Sequence, residues 1–157
     1  QLLEAWGDAE RLMVVILVKV DGEISGNMFF LMQPEAAQDV IALLLGERQE
    51  LDNLTAMAES LLLELGNILI SSYFSSLADL TGLQMVVSTP RLCIDMLGAA
   101  VGEGISDVAA HTNRVLVIDA EILDAEEGYS QAHRITGMFC FLPDPHSMEP
   151  LYLALGV

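Results

Sequence analysis

A carboxylate and a carboxamide stand one helical turn apart in the stretch Ser60-Leu-Leu-Leu-Glu64-Leu-Gly-Asn67. Together with Ser71 the polar positions are spaced 4, 3 and 4, which on an α-helix stacks them along one face. Burying a carboxylate and a carboxamide without partners is costly. The simplest arrangement turns Glu64 and Asn67 toward solvent or a ligand. Other chemistry is not signalled. His111, His133 and His146 lack metal-ligand spacing, so no metal site is expected. There is no Gly-rich phosphate loop, no Gly-x-Ser-x-Gly, and no defensible Cys/His or Ser/His/Asp constellation. Asp119, Glu121, Asp124, Glu126 and Glu127 read as a solvated strand end and loop, with a docking surface as the alternative.

A long helix must position the polar line. Leu54 to Leu80 has no proline and one interior glycine, Gly66, and its apolar residues recur at helical spacing: Leu61, Leu65, Ile68, Leu69, Tyr73, Leu77 and Leu80. The helix is expected over about 54–80, stopping at Gly82. Upstream, residues 2–7 form a short lead-in. Leu12–Val20 reads as a strand, Asp21-Gly22 as a turn and Ile24–Met32 as the returning strand of a hairpin. Pro34 opens a helix that reaches Leu45 and ends at Gly46. Glu47–Asn53 is a polar connection. Downstream, Leu83–Ser88 is a strand followed by Pro90, and Leu92-Cys-Ile-Asp is extended. Met96–Ala110 reads as one or two short helices weakened by glycines. Arg114–Leu123 and His133–Leu142 are strands around an acidic loop at Asp124–Gln131. Pro145 opens a last helix to Leu155.

At 157 residues the chain is one domain's worth, 1–157, enough to bury a sizeable core. Its net charge of −17 repels phosphate backbones and anionic lipid, which disfavours nucleic-acid and membrane-surface binding. That charge fits a cytoplasmic protein or one adapted to salt. The apolar fraction of 53% implies a large core or an interface, while no run reaches 18 apolar residues. Cys93 and Cys140 lie in apolar β-like runs and are expected as buried thiols. The start has no signal-peptide pattern and no initiator methionine.

Two segments resemble each other. Gly26-Asn-Met-Phe-Phe-Leu-Met-Gln-Pro closes on Leu-Leu-Leu-Gly46, and Gly137-Met-Phe-Cys-Phe-Leu-Pro-Asp-Pro closes on Leu-Ala-Leu-Gly156. The two glycines that open them are 111 residues apart, and a further strand precedes each. A duplication would give half-repeats of about 1–46 and 54–157. It would also place a first long helix upstream of Gln1, so the first repeat is expected to lack its N-terminal helix. Apolar surface left open by that helix favours a homodimer or an exchanged arrangement.

At this point the residues resemble the CheC/CheX/FliY family of chemotaxis phosphatases. The family motif is Asp or Ser, three residues, Glu, two residues, Asn, 22 residues and Pro. Here it reads Ser60, Glu64, Asn67 and Pro90. The runs around Leu62–Leu69 and Leu77–Gly82, with Gly22-Glu-Ile-Ser-Gly26 and Pro90-Arg-Leu-Cys-Ile-Asp-Met96, are similar to the CheC branch in particular. The likeness runs from about Val14 to the C-terminus. It implies an α+β, pseudo-duplicated CheC-like fold, mainly antiparallel sheet packed with long helices. CheC proteins commonly carry two motif helices; this chain holds one complete motif. Glu50-x-x-Asn53 is not a second copy, because it lies in a polar connection and Ser76 stands where the proline would fall.

The resemblance implies hydrolysis of the aspartyl phosphate on a CheY-like response regulator. Asn67 would enter the partner's site and orient the attacking water; a carboxamide can donate and accept and is not repelled by phosphoryl oxygens. Glu64 would pair with a lysine beside the phosphoaspartate. Ser60, Gly66 and Pro90 would support these two, Gly66 by leaving room for close backbone approach and Pro90 structurally. No cofactor of its own is implied, the Mg²⁺ being the partner's. The alternative is a non-catalytic interaction module, a partner of a CheD-like deamidase or part of a flagellar switch.

Overall fold

β-Branched and aromatic residues fill Leu12–Gly22 and Gly26–Met32, which form strands β1 and β2. They make an antiparallel hairpin running from Val14 opposite Met32 to Val20 opposite Gly26. The computed structural model describes residues 10–96, 116–123 and 134–156. The short helices expected after Met96, the acidic loop at 124–131, the lead-in, His111 and His133 lie outside the described residues. Among the described residues four more strands join one antiparallel sheet: β3 (Met85–Val87), β4 (Arg91–Met96), β5 (Leu116–Leu123) and β6 (Arg134–Pro143). The order is β3-β1-β2-β6-β5, with β4 on the same edge of β1 as β3.

Strand β1 continues two residues past its expected end at Val20, through the expected turn, because Val20, Asp21 and Gly22 pair with Val87, Val86 and Met85 of β3. Gly22 holds φ 128°, and a Cβ there would lie 2.5 Å from the Gln84 carbonyl oxygen. Glycine is therefore required by both conformation and space.

The sheet carries a pseudo-twofold axis. Phe29 of β2 pairs with Cys140 of β6, and the two are also 111 residues apart in sequence. On either side of them Gly26 faces Pro143 and Met32 faces Gly137, so counterparts exchange places across the pair. β1 then flanks β2 as β5 flanks β6.

The edge beyond β1 carries a bulge. Val20 faces Val87 and Leu17 faces Arg91. Two residues of β1 thus oppose three, Ser88, Thr89 and Pro90, an insertion of one. The Ser88 amide donates to the Lys19 carbonyl, and the Lys19 amide donates to the Ser88 hydroxyl, both at 2.9 Å. Val87 and Leu92 are five residues apart, which in a regular strand would turn them to opposite faces; the bulge absorbs the extra residue, so Met85 and Val87 before it and Leu92 and Ile94 after it all pack on the same core.

Both faces of the central strands are buried. One face collects Val14, Ile16, Val18, Met28, Phe30, Phe139 and Phe141, and the helices lie on it. The other collects Met13, Val15, Phe29, Leu31, Met138, Cys140 and Leu142. This explains why β1 and β2 read as continuous apolar runs rather than as alternation. Cys140 is buried and Cys93 half-buried, both on the second face.

Helix α1 (Pro34–Leu45) starts with proline at its first position and ends on Gly46 at φ 83°. Helix α2 (Ala56–Thr81) is the long element. The last segment is not one helix from Pro145. Pro145–Ser147 is a 3₁₀ turn and α3 runs Met148–Leu155. Pro150 accounts for the break: inside a longer α-helix its ring would strike the carbonyl four residues back, whereas in the first turn of α3 it is tolerated.

Candidate functional site

Helix α2 is held at both ends and along one side. Thr55 caps its start, the hydroxyl accepting from the Ala58 amide at 3.2 Å. Gly82 ends it in the left-handed conformation, its amide donating to Ala78 at 2.8 Å. Its buried line is Ala58, Leu62, Gly66, Ile70 and Leu77. That line packs on β1, β2 and β4 and against α1 and α3. Tyr73 adds a stacked ring contact with Phe139, centroids 4.9 Å apart. By length and composition α2 is apolar enough to cross a membrane. Its apolar line nevertheless serves the sheet, and its charged residues, Glu59, Glu64 and Asp79, are all exposed.

The side facing away from the sheet carries the polar motif. Ser60 and Glu64 are exposed; Asn67 and Ser71 are half-buried. At 3.6 residues per turn Glu64 lies near the outermost line, and Asn67 sits about 60° to one side of it, on the shoulder that Ser60 shares. No hydrogen bond engages the Glu64 carboxylate or the Asn67 carboxamide among the described residues. Both are thus placed outward with their bonding capacity open. Rise along the axis separates them by about 4.5 Å, within the span of one small anionic group and its basic neighbour.

Gly66 points the other way. A Cβ on it would run into the Ile16 side chain, overlapping Cδ1 and lying 2.9 Å from Cγ2. The close backbone approach it permits is that of α2 to β1. Pro90 closes the bulge between β3 and β4 and is half-buried. It lacks an amide hydrogen at a position where the ladder is already interrupted. Through β4, which touches α2, the bulge helps seat the helix. The four motif positions therefore divide: Ser60, Glu64 and Asn67 share one side of α2, and Pro90 shapes the sheet edge beneath it.

Two features escaped the sequence reading. Ile68 and Leu80 were expected on the apolar line, yet they are 57% and 72% exposed. The signal for Ile68 was present: it is four residues after Glu64 and therefore on the polar motif's own face. The second is a meeting of Ser25, Asp144 and His146. The Ser25 hydroxyl donates to Asp144 Oδ2 at 2.7 Å and lies 3.1 Å from His146 Nε2. Asp144 and His146 both address the hydroxyl, so the carboxylate does not orient the imidazole as a nucleophilic triad requires. With the Ser25 amide donating to Ser147 at 2.8 Å, the group ties the β1–β2 turn to the segment after β6. Among the described residues no group of three or more His, Cys, Asp or Glu could hold a metal ion.

Comparison with known proteins follows the same residues. The family model described as CheC-like matches residues 57–94, the span that contains Ser60, Glu64, Gly66, Asn67 and Pro90. The chain is 35% identical over 159 residues to the CheY-P phosphatase CheC of Bacillus subtilis (strain 168), covering 99% of this chain and 74% of that protein. Its fold is similar to the crystal structure of Thermotoga maritima FliY, with a TM-score of 0.61 and 19% identity, over 94% of this chain and 72% of the other. It is also similar to the CheX–CheY–BeF3–Mg²⁺ complex from Borrelia burgdorferi, with a TM-score of 0.50 and 16% identity, over 83% of this chain and 75% of the other. The α+β antiparallel architecture agrees with these folds, and identity at this level along nearly the whole chain places it: the protein belongs to the CheC-like family.

Proposed function

We propose that this protein is a phosphatase of chemotaxis signalling that hydrolyses the aspartyl phosphate of a CheY-like response regulator. The observation that carries the reading is the outward, unengaged pair Glu64 and Asn67 on a helix anchored at both ends. The relative from Bacillus subtilis bears the name of this activity, and the Borrelia burgdorferi neighbour was solved with a CheY.

In this reading α2 docks its outer line over the partner's phosphoaspartate. The Asn67 carboxamide accepts one hydrogen bond from a water and donates another toward the phosphoryl group, holding the water in line. The water oxygen bonds to phosphorus as the bond to the aspartyl oxygen breaks, releasing inorganic phosphate and the free carboxylate. Glu64 pairs with a lysine beside the phosphoaspartate and fixes the register. Most of the gain is positional, since little covalent chemistry is asked of the phosphatase. Any Mg²⁺ belongs to the regulator's own pocket. Ser60 lines the same shoulder as Asn67; Gly66 and Pro90 act through the seating of α2.

The test is phosphate release from a CheY-like regulator phosphorylated with acetyl phosphate. Wild type is expected to accelerate release, and Asn67→Ala to lose about 100-fold of that acceleration. The same variant should unfold within about 0.5 kcal/mol of wild type, as a surface substitution does. Equal rates for the two proteins, with binding to a CheD-like deamidase retained, would instead establish the interaction-module reading.

A further inference from the structure

Ile68 is a β-branched apolar side chain, 57% exposed, in the middle of a helix whose apolar needs are met on its opposite side. Nothing in the packing of α2 requires it there, and a lysine or glutamine would serve the isolated helix at least as well. Its position is specific. It follows Asn67 directly and stands one turn beyond Glu64, about 40° from it around the axis on the side away from Asn67. Glu64 is thus flanked on one side by the carboxamide and on the other by exposed apolar surface. Toward the C-terminal end the same face carries Ser71, Ser72 and Ser75, none longer than a serine, so Ile68 protrudes beyond its neighbours. The charge is one-sided as well: this face holds Glu64 and Asp79, and α2 as a whole has no basic residue.

We propose that Ile68 is a docking residue for the regulator, an apolar anchor that seats beside the phosphoaspartate pocket while Glu64 takes the basic group at its rim. The proposal rests on the phosphatase reading above and adds what that reading does not contain, a binding contribution separate from charge and from the chemistry. The partner surface it fits is basic around the phosphoaspartate with an apolar depression next to it. An acidic chain of net charge −17 gains encounter rate from such a rim. Desolvating an apolar side chain next to the pair then strengthens the ion pair locally and excludes competing water.

The two contributions separate in steady-state kinetics. The substrate is a CheY-like regulator phosphorylated with acetyl phosphate and varied in concentration, at about 0.05 M and about 0.5 M salt. Ile68→Ser is expected to raise KM about tenfold at both salt concentrations with kcat unchanged, and Ile68→Leu to restore the wild-type KM. Glu64→Gln should raise KM mainly at low salt, because screening removes its advantage. Thermal unfolding of both Ile68 variants should match wild type. If wild type is active and Asn67→Ala is not, but Ile68→Ser keeps the wild-type KM or loses kcat alone, the docking role is overturned and the phosphatase reading stands. If wild type fails to accelerate release at all, both fall together.

Discussion

Glu64, Gly66 and Asn67 lie within four consecutive residues and serve opposite sides of one helix. The first and last face outward; Gly66 faces Ile16, which is 1% exposed. Replacing Gly66 by alanine tests that division. Alanine would favour the helix itself by about 1 kcal/mol. Against this stands overpacking of about 1–3 kcal/mol, because the intruding Cβ meets the branched Cγ2 of a strand residue as well as the mobile tip of its side chain. Gly66→Ala is therefore expected to lower the urea midpoint, and Gly66→Val to lower it much further. A rise in the midpoint for alanine would mean that α2 does not rest on β1 as closely as described. Close backbone approach was expected at Gly66 as support for the motif; that the surface approached is Ile16 of β1 was not legible, because spacing along a helix does not say which neighbour lies at Cβ distance.

At the scale of elements, the segment from Met85 to Met96 behaves as one edge interrupted at Ser88–Pro90. A motif that places a proline 22 residues after an asparagine has no evident chemical reason in one dimension. Here Pro90 belongs to the bulge that absorbs one extra residue, so that β3 and β4 both present side chains to the helix-bearing core. Deleting Thr89 would cancel the insertion: Val87 and Leu92 would then stand four residues apart, an even number, and a regular ladder would keep both pairs on that core. The deletion is therefore expected to stay within about 1 kcal/mol of wild type in chemical denaturation, as is Thr89→Ala. A loss of several kcal/mol for the deletion would show that the facing of these strands depends on the bulge itself. Element type was readable from composition: the hairpin, α1, α2 and the edge strands stand where β-branched runs, Pro34, Gly46 and Gly82 put them. Boundaries shifted where pairing intervened, as at Asp21 and Gly22, or where a proline forbade continuation, as at Pro150.

For the molecule as a whole, the pseudo-twofold axis through Phe29 and Cys140 puts β2 and β6 at the centre, each paired on both edges and buried on both faces. Amide hydrogen exchange should follow that layering. The slowest amides are expected in Met28–Leu31 and Phe139–Leu142, exchanging only through global unfolding, with β3 at the edge orders of magnitude faster. If β3 proves as protected as β2, the order of strands is wrong. Such a centre gives α2 a rigid floor, which matters because a positional mechanism tolerates little displacement.

The sequence alone determined which residues belong to the polar motif, that they share a helix face, and the kinds of element around them. These are properties of local spacing, carried by the 3.6-residue period and by the conformational limits of glycine and proline. Only the tertiary structure decided which side of α2 meets the sheet, that Leu80 stands in solvent, and why Pro90 lies where it does. Each of those depends on contacts between segments distant in the chain, α2 on β1 and β4 on β1, and an apolar residue reads the same in one dimension whether its neighbour is core or water.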